Sequence, residues 1–114
     1  MDNNTDRVVL CVSNAYQKKF YLNPNFNQLP EYIRDELKIM CVMYTEDIGG
    51  VLTVEFDEDG NLQFNTSYEE GDYFYDEIGS VLKIKAYQNE KRELLEQIEM
   101  YYKILYLGEG LEEE

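Results

Sequence analysis

From Leu52 to Asn65 apolar and polar residues alternate. Leu52, Val54 and Phe56 interleave with Thr53, Glu55 and Asp57, and after a turn Leu62 and Phe64 interleave with Gln63 and Asn65. A period of two predicts half-buried strands, here 51–57 and 61–66. A two-residue Asp59-Gly60 loop would set Phe56 against Gln63 and mix the faces. A three-residue loop, Glu58-Asp59-Gly60, sets Phe56 against Leu62 and Val54 against Phe64, keeping the apolar residues on one side. That register predicts a type I turn with Gly60 left-handed in a bulge.

Elsewhere the period lengthens to that of a helix. Ile33, Leu37, Met40, Cys41 and Tyr44 make an apolar stripe, and Ile39, Val42 and Met43 widen it until the last turns are apolar all round. A helix over 30–47 follows, with Pro30 in its first turn, Glu31 favourable to its dipole, and Gly49-Gly50 as its stop. A second stripe runs through Ile84, Tyr87, Lys91, Leu94, Leu95, Ile98, Tyr101, Tyr102 and Leu105, predicting one long helix over about 80–107 capped by Asp76 or Ser80. Near the N-terminus Val8-Val9-Leu10-Cys11-Val12 reads as a strand, and a hairpin through Asn14 pairs 8–13 with 16–22. A helix from Arg7 to Lys19 competes, since Val9, Val12, Tyr16 and Phe20 also recur at helical spacing. Asn23-Pro24-Asn25-Phe26-Asn27 is turn chemistry.

The elements sum to an α+β fold of order ββαββα. An antiparallel sheet of four strands, or five if Tyr73-Phe74-Tyr75 adds one, carries two helices on one face. At 114 residues this is one domain over 1–114 with loose ends at 1–6 and 109–114. Cys11 and Cys41 stand in apolar runs, thirty residues apart, with neither zinc nor disulfide-framework spacing. Two buried free thiols suit a reducing cytoplasm. The polar, acidic first residues are no secretory signal, and no apolar run is long enough to cross a bilayer.

Charge adds a clue to partners. Residues 39–82 hold no Lys, Arg or His but eleven carboxylates, most of the net charge of -14. Such a balance opposes binding to nucleic acid or to an anionic membrane and favours a protein with a basic surface. Within it Ser67 to Glu77 interleaves carboxylates with Tyr68, Tyr73, Phe74 and Tyr75. Tyrosine offers large area with a polar tip, a common interface anchor. Glu69, Glu70, Asp72, Tyr73, Tyr75 and Asp76 are therefore the candidate partner-binding residues. The plainer readings are that the charge serves solubility and that the rings cover the sheet edge. A homodimer through the sheet edge or the long helix is a further option, opposed by like charge unless the acidic patch points away.

Several chemistries lack their residues. The chain has no His, which removes the usual general base and the commonest metal ligand. It has no nucleophile elbow, phosphate loop or dinucleotide fingerprint. A pair of carboxylates could serve a glycosidase, but short helical and sheet layers seldom form the deep cleft that needs. Aligning Gly60 with the glycine of a calcium loop puts Thr66 where a bidentate Glu is required and strands where helices belong, so a hairpin turn accounts better for Asp57-Glu58-Asp59. Glu69-Glu70-Gly71-Asp72 reads as a solvated loop rather than a cation site. No metal, cofactor or catalytic residue is expected.

Several strings resemble a known family: LCVSNAYQKKFYLN over 10–23, DELKIMCVMYTEDIGG over 35–50, DEIGSVLKIK over 76–85, and Tyr101-Tyr102. Together they are similar to an uncharacterised single-domain family, a domain of unknown function, from anaerobic Gram-positive gut bacteria. The resemblance spans roughly 8–107 and implies one compact bacterial domain; it brings no activity, ligand or catalytic residue. The combined expectation is a non-enzymatic acidic module of the bacterial cytoplasm that engages a basic protein. An immunity-like inhibitor or nucleic-acid mimic is the alternative, followed by a small-ligand carrier or an enzyme without a recognisable motif.

Overall fold

The computed structural model describes residues 7–108, so the loose ends expected at 1–6 and 109–114 lie outside the described residues. Strands β1 (Val8–Asn14) and β2 (Lys19–Leu22) form the first hairpin. Helix α1 (Glu31–Ile48) leads to the second, β3 (Val51–Phe56) and β4 (Leu62–Ser67). Helices α2 (Glu77–Glu90) and α3 (Arg92–Leu105) complete an α+β fold. The sheet is antiparallel throughout, in the order β2-β1-β3-β4.

The hairpin reading of the first segment holds over the helical one, with a longer turn than 8–13 and 16–22 allow. The Asn14 side chain accepts from the N–H groups of Tyr16 (2.9 Å) and Gln17 (3.1 Å), shaping a turn over 15–18. The second hairpin has the register that face matching demanded, Val54 opposite Phe64 and Phe56 opposite Leu62. Gly60 sits at φ 84 and donates its N–H to Asp57 O.

That turn is fixed by Asp57. Its carboxylate accepts from Asp59 N (2.9 Å), Asn61 N (3.0 Å) and Gln63 Nε2 (2.9 Å). These bonds, the Asn61 N–H foremost, hold the Asp57 carboxyl below its usual value. A depressed folded value adds stability above the unfolded value of about 4 and loses it as pH falls through the folded one. Asp57→Ala should therefore differ most from wild type in urea midpoint near neutrality. The difference should shrink as pH drops below about 4, and a constant gap would deny the carboxylate its role.

The helical layer departs from expectation. Where one helix over 80–107 was predicted there are two, giving three α-helices among the described residues and the order ββαββαα. Lys91, at φ -107 and ψ 25, interrupts the run, although the bonds Lys91 N–Tyr87 O (2.8 Å) and Leu95 N–Lys91 O (2.9 Å) carry on across it. The core-facing stripe Ser80, Ile84, Tyr87, Leu95, Ile98, Tyr102 stays in phase through the kink, so periodicity could not reveal it. The bend lets α2 lie along α1 while α3 turns onto the sheet, where Tyr102 stacks on Phe56 at 3.9 Å. Of the two caps considered, Asp76 is the one used, its Oδ1 accepting from Gly79 N at 2.8 Å. Among the described residues no fifth strand forms: residues 73 and 74 make a turn, and β4 remains an edge.

The helices cover the sheet face bearing Leu52, Val54, Phe56, Leu62 and Phe64, and α1 is the hub: Ile33, Leu37, Met40, Cys41 and Tyr44 are all buried. A register shift between Val9 and Cys11 makes Leu10 a bulge, so that Leu10 and Cys11 are both fully buried against α1. The Cys11 and Cys41 thiols are free and lie 3.8 Å apart. Contact with Cys41, then burial, pushes the Cys11 thiol well above its ordinary value, which leaves it unreactive. Among the described residues no helix is long and apolar enough to cross a membrane.

Candidate functional site

The segment 68–76 joins β4 to α2, and tyrosines turned inward hold it. Tyr75 packs over Gly50, where an added Cβ would come within 2.7 Å of its ring. Its hydroxyl meets those of Tyr44 and Ser80, each at 3.1 Å, and Tyr44 bonds Ser80 at 2.7 Å. Burial raises the Tyr44 phenol well above its ordinary value, so it stays a neutral hydroxyl within this network. Tyr68 stacks on Tyr75 at 4.3 Å and donates to the Glu77 carboxylate. From the β1–β2 turn Tyr16 donates to Asp72 (2.5 Å) and accepts from Glu69 N (2.9 Å). Asp72 in turn accepts from Phe74 N at 3.0 Å.

The six residues singled out from the sequence therefore divide. Asp72, Tyr75 and Asp76 hold the segment in shape, Asp76 as the cap of α2. Glu69, Glu70 and Tyr73 point to solvent, Tyr73 with 93% of its surface exposed. Replacing Tyr75 with Ala should cost about 2 kcal/mol in urea denaturation, since a packed ring and a shared hydroxyl network are lost. Tyr73→Ala should stay within about 0.5 kcal/mol of wild type. Equal losses for the two variants would contradict this division.

The structure adds residues that sequence reasoning missed. Phe74 is 95% exposed, and Ile78 (76%), Val81 (56%) and Leu82 (63%) follow it. On α2 these last three are spaced i, i+3, i+4, opposite the core-facing Ser80, Ile84 and Tyr87. Tyr73 and Phe74 stand exposed in the turn just before this helix, and Glu69, Glu70 and Glu77 lie in the same stretch of chain. Large exposed apolar patches with a polar rim mark contact sites on soluble proteins. The signal was present in the sequence as a second apolar face on α2, but two faces on one helix cancel the contrast by which amphipathicity is recognised.

The carboxylates of 39–82 do not form a continuous wall. Asp57, Glu58 and Asp59 occupy the β3–β4 turn, whereas Glu46, Asp47 and the carboxylates of 69–77 lie at the other end of those six-residue strands, roughly 20 Å away. Arg7 pairs with Glu55 at 2.8 Å and Lys83 with Asp47 at 2.7 Å. The charge flanking the apolar surface is thus the local set on 69–77. Among the described residues no three Asp, Glu or Cys side chains converge as metal ligands would.

A model described as a family of unknown function (DUF6145) matches residues 7–110. No curated protein and no solved structure matches the chain.

Proposed function

The chain belongs to this family of unknown function, DUF6145, and from that premise we propose that it is a non-enzymatic protein-binding module. Its contact surface is the outer side of α2 with the turn before it. The exposed Tyr73, Phe74, Ile78, Val81 and Leu82 carry this reading. They supply burial energy, while Glu69, Glu70 and Glu77 select a partner segment that offers apolar residues flanked by Lys or Arg. A second copy of the chain fits less well, because each brings a net charge of -14. Mimicry of nucleic acid would need carboxylates spaced along the surface, and apolar side chains interrupt them here. Neutralisation of a basic toxin remains within the proposal, as one identity for the partner. The two buried thiols support a reducing, cytoplasmic setting.

The test is capture from a lysate of the native host at low and high salt, with wild type and with the double variant Phe74→Ser, Leu82→Ser in parallel. A polypeptide retained by wild type, weakened by salt and lost by the variant supports the proposal. Capture of nothing at either salt, or equal capture by both proteins, ends it.

A further inference from the structure

Between the β1–β2 turn and α1 lies a cleft of about 630 Å³. We propose that it binds a small organic anion, a phosphate or carboxylate group carried on an apolar body.

Lysine supply is the first observation. The chain has only ten Lys and Arg against 24 carboxylates. Three of the ten, Lys18, Lys19 and Lys38, line this one cleft. None of the three has an ion pair among the described residues, whereas Arg7, Lys83 and Lys91 each have one. In so acidic a molecule, three lysines and a single carboxylate, Glu46, around one concavity give its lining an excess of positive charge. An anion is the ligand that compensates it.

Backbone conformation is the second. Lys18 has φ 54, the one left-handed non-glycine among the described residues. Glycine or asparagine would occupy that turn position with less strain. A strained residue beside a cleft is where a functional role is sought.

The remaining lining sets the size and character of the ligand. Phe20 and Val42 provide apolar walls, and the Ser13 and Thr45 hydroxyls, bonded to each other at 2.8 Å, give a polar floor. A concavity of this volume, with apolar walls beside charged and polar groups, suits a molecule of metabolite size. A polyanion such as nucleic acid is disfavoured by Glu46 within the cleft and by the negative field around it.

Titration of the full chain at low ionic strength with phenyl phosphate, benzoate and inorganic phosphate, followed by amide chemical shifts, tests the proposal. Saturable binding of phenyl phosphate or benzoate is expected, with shifts over 13–20 and 38–46, and the stronger of the two identifies the anionic group. Inorganic phosphate alone should bind more weakly, lacking a body to lie on Phe20 and Val42. Lys38→Gln should weaken binding about tenfold, the scale of one lost charged hydrogen bond. Lys18→Gly should melt at a higher temperature yet bind less well, a combination a purely structural lysine would not give. Lys85→Gln, on the exposed side of α2, should change nothing, and neither should the pair Phe74→Ser, Leu82→Ser. Failure of all three anions to saturate overturns the proposal. So does equal weakening by Lys85→Gln, or Lys18→Gly that keeps full affinity.

Discussion

Serine at Phe74 and Leu82 together is expected to weaken capture of a basic partner about 100-fold, while unfolding free energy stays within about 0.5 kcal/mol of wild type. The two halves of this result have separate causes. Phe74 and Leu82 are 95% and 63% exposed, so their truncation opens no cavity and breaks no core contact. In a complex, however, apolar anchors at the centre of a patch each contribute on the order of 1–2 kcal/mol once buried, and two of them account for the expected loss. Binding measured by anisotropy on the captured partner, beside urea denaturation of the variant, reads both. A variant that binds normally moves the contact off α2; one that unfolds shows that these side chains were packed after all.

Alanine at Gly50 should have the opposite profile, a loss of about 3 kcal/mol or more in stability. Gly50 follows α1 at φ 72, where an added side chain is strained whatever the space. Here there is no space: the new Cβ would lie 2.6 Å from the Ser67 carbonyl oxygen and 2.7 Å from the Tyr75 ring. The first neighbour is backbone of β4 and cannot rotate away. The second holds the segment 68–76 in place, so partner binding should fall along with stability. Gly71 provides the control, with φ 89 and nothing within 4 Å. Its alanine variant should lose only the backbone term, about 1 kcal/mol. If the two variants prove equally stable, contact at Gly50 is not what limits it.

Parts of this molecule could be read from local pattern and parts could not, for reasons that residues make plain. The β3–β4 register was legible because only one loop length keeps Phe56, Leu62, Val54 and Phe64 on one face. Helix α1 was legible because its stripe, its Pro30 start and its Gly49 stop agree. The kink at Lys91 was not, since both halves stay in phase across it. The bulge at Leu10 was not, because a continuous apolar run gives no alternation to interrupt. At the contact surface, sequence brought attention to 69–76 but could not tell the outward Tyr73 from the inward Tyr75. That distinction depends on Gly50 and Tyr44, both distant in the chain, and on Ser80 in the first turn of α2. Lys18 and Lys38 likewise carry no mutual signal until the fold sets the first turn beside α1.

Tyr16 stands in the turn that borders the lysine cleft, and its one phenolic oxygen grips both Glu69 and Asp72. Any coupling carried through that tether would act equally in both directions, as equilibrium linkage demands. Tyr16→Phe would cut the cord and let two neighbours live as strangers.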